Sequence, residues 1–238
     1  MIQTSITVKN LSKFYNNIKV LDNISFSLEE NGIFGLLGRN GAGKTTLLGI
    51  LMGLITPSNG EILILGENIK TEKYTILNQI NFQSPYIDLP KKMTVEQNLA
   101  FYSRLYGIKK FQKNLNILSE DLNIKSLLKQ NFGSLSAGQK TRVGLCKALI
   151  NKPRLLLLDE PTASLDPETS IFIRNYLKDY QRANKATILL ASHNLKEIED
   201  MCEKIIILKS GKITANDSLK NLLKKKKYSS VEKLFLDN

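Results

Sequence analysis

Ile33-Phe34-Gly35-Leu36-Leu37-Gly38-Arg39-Asn40-Gly41-Ala42-Gly43-Lys44-Thr45-Thr46 is the stretch whose reading decides the fold. Ile33 to Leu37 is apolar on both faces, as a strand buried between two layers must be. It runs directly into Gly-x-x-x-x-Gly-Lys-Thr, and a helix is expected to begin near Lys44. A loop of this kind cradles phosphate oxygens. Its glycines let backbone N–H groups turn inward, and the helix that follows aims the positive end of its dipole at the same point. Gly38 through Thr46 are therefore the expected nucleotide contacts, with Lys44 reaching the β- and γ-phosphates and Thr45 ligating Mg2+.

Around this loop, short apolar runs alternate with amphipathic stretches, the pattern of an α/β protein with a mostly parallel sheet. Val20, Ile24, Phe26 and Leu28 keep near period-two spacing and predict an antiparallel strand with one wet face. Thr56-Pro57-Ser58-Asn59-Gly60 predicts a turn, and Glu61 to Leu65 a strand after it. From 84 to 131 buried strand runs are missing and the period is helical, so this segment reads as an inserted helical subdomain. Thr94-Val95-Glu96-Gln97 has the form of a capping box, and Gly107 stands where a helix ending near Tyr106 wants a left-handed residue. Regular order then resumes. A helix is predicted over 139–149, strands over 155–158, 187–191 and 205–208, a helix from Pro167 and a short helix to Cys202. The expected organisation is one domain, with a nucleotide-binding core and antiparallel β subdomain at 1–83 and 132–215, the helical insert at 84–131 and a basic tail at 216–238.

Leu155-Leu156-Leu157-Leu158-Asp159-Glu160 is a second chemical signal, because no packing rule places two carboxylates at the mouth of an apolar strand. Beside a phosphate loop, Asp159 is placed to hold the Mg2+ shell and Glu160 to polarise a water against the γ-phosphate. His193 follows the strand 187–191 at the sheet edge where ligands bind, and Gln83 ends the strand 80–82. Neither would carry weight alone.

The chain has 238 residues, 42% of them hydrophobic, which is enough to bury a core and excludes a disordered protein. Cys146 and Cys202, its two cysteines, cannot form a disulfide framework and are expected as reduced core thiols. The first ten residues alternate polar and apolar, so no secretory signal is expected, and the longest apolar run, 47–55, is far shorter than the roughly 20 residues of a membrane span. The net charge of +12 is spread along the chain and does not mark a basic domain; no nucleic-acid partner is expected. Lys224 to Lys227 read as a solvated helix end or short arm, compatible with contact to anionic lipid.

Leu135-Ser136-Ala137-Gly138-Gln139 resembles the signature of the ABC (ATP-binding cassette) ATPases, and it stands upstream of the carboxylate strand as in that family. Other marks fall in the family's order over about residues 5 to 215. Tyr15 resembles the aromatic that stacks on adenine, Gln83 the glutamine-loop residue that meets metal and water, Ser164-Leu165-Asp166 the D-loop, and His193 the switch histidine. Ala137 replaces the commoner glycine of the signature, while Ser136 and Gly138 are intact.

The resemblance implies ATP and Mg2+ as ligands and a head-to-tail dimer, in which the Lys44 loop of one subunit is sealed by Ser136, Gly138 and Gln139 of the other. It also implies a separate integral-membrane permease, with the chain held peripherally at the cytoplasmic face of the membrane. The run from Met93 to Gly107 resembles the exporter branch that pairs with type-two permeases, with 83–90 and the helix after Thr94 as docking surface. Phe101, Tyr102 and Tyr106 on that face could be core or contact surface. The alternative is a soluble ABC ATPase without a permease.

Overall fold

The computed structural model describes residues 3–85, 88–163 and 165–225. In chain order the strands are β1 (Thr4–Tyr15), β2 (Ile18–Glu29), β3 (Ile33–Leu37), β4 (Asn59–Ile64), β5 (Glu67–Asn68), β6 (Ile80–Gln83), β7 (Leu155–Asp159), β8 (Thr187–Ser192), β9 (Lys204–Lys209) and β10 (Lys212–Ser218). The helices are α1 (Lys44–Leu51), α2 (Lys73–Leu77), α3 (Val95–Leu105), α4 (Phe111–Asp121), α5 (Ala137–Leu149), α6 (Pro167–Asn184), α7 (Leu195–Met201) and α8 (Leu219–Lys225).

Two sheets share the work. The larger has the order β10-β9-β3-β8-β7-β6, with every neighbour from β9 to β6 parallel and β10 antiparallel at the edge. The smaller, β2-β1-β4-β5, is antiparallel throughout. The four leucines of β7 show why the large sheet is central: Leu155 and Leu157 enter the core on one face, Leu156 and Leu158 the core on the other. A strand covered on both faces has no wet side, so alternation disappears from its sequence.

Between β6 and β7 the chain leaves the sheet for α3 and α4. Thr94 caps α3 as its spacing predicts: its Oγ1 accepts from the Gln97 N–H at 3.1 Å, and Gln97 Oε1 accepts from the Thr94 N–H at 2.9 Å. Gly107 takes φ +65° just beyond the helix. Val95, Leu99, Leu115 and Leu122 of this segment join the same buried cluster as Leu156 and Leu158, so the insert is packed onto the sheet's own core. The aromatic face divides. Phe101 and Leu105 are exposed, while Tyr102 and Tyr106 pack against the core.

Three expectations shift. β4 begins at Asn59, so Gly60, with φ +101° and the Leu11 backbone too close for a Cβ, lies inside the strand rather than in the turn. α5 begins at Ala137, two residues before the predicted start, because Ser136 and Gln139 form a second capping box. Residues 216–218 belong to β10, and α8 follows with Leu222 buried, so the chain remains packed past the expected tail boundary. Residues 226–238 of the expected basic tail, including Lys226 and Lys227, lie outside the described residues, as do Ser164 of the D-loop and residues 86–87 of the expected docking surface.

Candidate active site

Four adjacent parallel strands deliver the candidate residues to one edge. Leu37 pairs with Ser192, Ala191 with Asp159, and Leu158 with Gln83. The residues at or just past those strand ends are the phosphate loop from Gly38, His193, the Asp159-Glu160 pair and Gln83 itself. This is the carboxyl edge of a parallel sheet, where ligands bind in open α/β folds.

The loop is shaped by its glycines. Gly43 has φ +107°, and a Cβ there would stand 2.8 Å from Leu21 Cδ2. A Cβ on Gly38 would stand 2.6 Å from the Leu208 carbonyl oxygen. Lys44 is buried, its Nζ donating to the Gly38 carbonyl at 2.7 Å and standing 3.8 Å from Glu160 Oε1. Thr45 Oγ1 donates to Asp159 Oδ2 at 3.0 Å. Burial raises the Asp159 carboxyl above its ordinary range; the Thr45 hydrogen bond and the Lys44 charge pull it down, and the neighbouring Glu160 pushes it up.

Glu160 sits at φ +49°, a left-handed conformation that costs a residue with a Cβ on the order of 1 kcal/mol and is held only by its surroundings. Its N–H donates to the Ala191 carbonyl at 2.8 Å, and its carboxylate meets His193 Nδ1 at 2.8 Å and the Ser192 hydroxyl at 3.4 Å.

A pocket of about 350 Å3 lies over this edge, lined by Val20, Arg39 to Gly41, Gly43 to Thr46, Asp159 and Glu160. It fits a polyphosphate with a hard cation. The first turn of α1 contributes N–H groups with no intrahelical partner, Lys44 a positive charge, and Thr45 with Asp159 the oxygen ligands Mg2+ prefers. Val20 was readable from sequence only as a strand residue; nothing in its spacing marks it as a wall of the site.

Not every candidate joins this pocket. Tyr15 ends β1, partly exposed, with the Lys13 ammonium 4.8 Å from its ring centre, and is not among the lining residues. Gln83 reaches the right edge but is buried, its amide laid on Gly144 of α5; a Cβ on that glycine would stand 2.5 Å from Gln83 Nε2. Ser136, Gly138 and Gln139 occupy the N-terminus of α5, also outside the pocket. Asp166 caps α6, accepting from the Thr169 N–H at 2.8 Å, and this hydrogen bond holds its carboxyl below the usual range.

A family model described as "ABC transporter" matches residues 21–163, which include the phosphate loop, the α5 signature and the carboxylate pair. The chain belongs to this family. It is similar to the tungstate uptake system ATP-binding protein TupC of Peptoclostridium acidaminophilum, 39% identical over 89% of this chain and 98% of that protein. It is also similar to the bacitracin transport ATP-binding protein BcrA of Bacillus licheniformis, 36% identical over 89% of this chain and 69% of that one. Among solved structures, an ATP-binding subunit of an ABC transporter superposes with TM-score 0.90 at 27% identity, covering 98% of each chain. A dimeric ATP-binding cassette in a post-hydrolysis state with ADP and Pi superposes with TM-score 0.84 at 25% identity, covering 90% of this chain and 98% of that one. As an ABC ATPase, the chain binds ATP with Mg2+ and hydrolyses it. No helix of the described residues is long and apolar enough to cross a membrane.

Proposed function

We propose that this ABC ATPase is the motor of an exporter, acting as a head-to-tail pair on a separate integral-membrane permease at the cytoplasmic face of the membrane. One observation carries the pairing: Ser136 and Gly138 stand on the N-terminus of α5, outside the pocket formed by the same chain's Lys44 loop. A signature that does not serve its own loop is available to a second copy. There it offers a phosphate the positive end of a helix whose cap is already satisfied.

In this reading Lys44 turns from the Gly38 carbonyl to the β- and γ-phosphates, and Tyr15 stacks on adenine. Thr45 and Asp159 would hold Mg2+, which when bound neutralises phosphate charge, with Gln83 approaching from the adjoining strand. Glu160 accepts the proton of the attacking water, and His193 steadies the transferred phosphate. Loss of the γ-phosphate then lets the two copies part.

Export is supported by similarity to a Nod factor export ATP-binding protein, 34% identical over 90% of this chain, although the tungstate relative is an uptake protein. The exposed Phe101 and Leu105 on α3 suit a permease contact. The test is to tag the Glu160→Gln chain, trap it with Mg-ATP, extract the membranes in detergent and identify what co-purifies. A polytopic partner supports the reading, and ATP-driven movement of its cargo into inside-out vesicles supports export. Recovery only as a cytosolic dimer would replace it with a permease-free ATPase. Membrane recruitment unchanged by neutralising Lys224 to Lys227 would remove a lipid-contact role for the tail.

A further inference from the structure

Glu197 lies in α7 at 1% exposure, where sequence alone would give it a local task. Asn194 caps that helix, its Oδ1 accepting from the N–H groups of Lys196 at 3.1 Å and Glu197 at 3.3 Å. Glu197 is thus the third helical residue, whose carboxylate in a capping box folds back onto the cap's own N–H. Here it does not. The Asn194 N–H donates to Ser192 Oγ at 3.0 Å, and Glu197 Oε1 accepts instead from Thr162 Oγ1 at 2.7 Å, across 35 residues of sequence.

Burying a carboxylate is expensive unless hydrogen bonds hold its charged form. Burial raises the Glu197 carboxyl above its ordinary range; the hydrogen bond from Thr162 and the nearby Ser192 side chain pull it down, Glu160 pushes it up and the Arg174 charge lowers it again. Both hydroxyls belong to the segments that carry the hydrolytic candidates. Thr162 follows Glu160 by two residues, and Ser192 precedes His193 and donates to Glu160 Oε2 at 3.4 Å. Glu160, held at φ +49°, needs such support to keep its left-handed backbone.

We propose that Glu197 is a positioning residue for ATP hydrolysis: from α7, which starts two residues after His193, it holds Thr162 and so ties the Glu160 segment to the His193 segment and presets their contact. This rests on the reading of Glu160 and His193 given above and adds a residue to which that reading gives no role.

Steady-state ATP hydrolysis by the full chain, with kcat and KM separated, tests the tether. Thr162→Val keeps the shape and loses the hydroxyl, whereas Thr162→Ser keeps the hydroxyl and loses the methyl. The expected result is a kcat about tenfold lower for Thr162→Val with KM for ATP within about twofold of the parent, and near-parental kcat for Thr162→Ser. Glu197→Ala should lose at least as much as Thr162→Val. Glu197→Gln, whose carbonyl oxygen still accepts from Thr162, should fall between Glu197→Ala and the parent.

The reverse order for the two Thr162 variants, serine impaired and valine intact, assigns the contact to packing and overturns the proposal. So does a Thr162→Val chain with a parental melting midpoint and parental kcat. Glu160→Gln is run beside them. If it still turns over, the reading of Glu160 fails and the tether loses its object; if it is inactive while Thr162→Val is unimpaired, the tether alone is wrong.

Discussion

Oε1 of Glu160 lies 2.8 Å from His193 Nδ1 and 3.8 Å from Lys44 Nζ. A single carboxylate oxygen therefore joins the segments that follow β3, β7 and β8. In the proposed mechanism Lys44 exchanges this partner for a phosphate oxygen, and Glu160 is left as the carboxylate nearest the water. Glu160→Gln should lower ATP turnover by at least about 100-fold, the scale of a lost general base. Its affinity for ATP should be equal or higher, since a negative charge beside the phosphates is gone. Titration calorimetry with ATP, alongside phosphate release, checks both; weakened binding with modest loss of turnover would recast Glu160 as a structural partner of Lys44.

Asp159 gives a prediction about stability. Its folded pKa is raised from 3.8, first by burial. A carboxyl raised in this way keeps its proton longer in the folded chain than in the unfolded one. Its contribution is nil at pH below the unfolded value, becomes destabilising as pH rises through the raised value, and stays so at neutral pH. Asp159→Asn keeps an oxygen for the Thr45 hydroxyl and removes the charge. Without nucleotide, the variant should melt about 2 °C or more above the parent at pH 7, with the gain shrinking toward pH 4. It should also lose Mg2+-dependent hydrolysis. A variant that melts lower at pH 7 would show that the ionised carboxylate is stabilised by Thr45 and Lys44 more than burial penalises it.

The two cysteines test the core. Burial pushes the Cys146 thiol up to about 12 and raises Cys202 further, and both are free. Since the thiolate is the reacting species, the folded chain at pH 8 should leave both unlabelled by iodoacetamide and take up label at both after denaturation. Mass spectrometry of the native protein showing modification at either position would mean that the sheet's covering layer opens far more readily than its packing indicates.

Legibility from sequence followed the range of the interaction. The phosphate loop and the Thr94 capping box are specified within a few residues, and both could be read directly. The start of α5 is equally local: Ser136-Ala137-Gly138-Gln139 repeats the Thr94 to Gln97 form, so the signature doubles as a capping box. The division of this face into half-buried Tyr102 and Tyr106 and exposed Phe101 depends on which side meets the sheet core, which aromatic content alone does not specify. Gln83 was placed correctly at a strand end, but its amide rests on Gly144, 61 residues away, and strand patterning carries nothing about that contact. Glu197 and Thr162 meet only because β7 and β8 are neighbours.

The proposed head-to-tail pairing makes a prediction that a self-contained site cannot imitate. In that pairing each composite site takes its phosphate loop from one copy and its signature from the other. Lys44→Ala disables a loop and Ser136→Arg disables a signature, so each variant alone should be inactive. In a mixed dimer one site combines both defects, and the other combines an intact loop with an intact signature. Mixing the two inactive variants in equal amounts should therefore restore turnover, to about a quarter of the parental rate if chains pair at random and the sites fire independently: half the dimers are mixed, each with one of two sites intact. A complete absence of recovery, with dimers of the mixed type demonstrated by differential tags, would mean either that the two sites must fire together or that Ser136 serves its own chain. Titrating parental chain against Lys44→Ala separates these, since obligatory coupling makes activity fall with the square of the parental fraction and independent sites make it fall linearly.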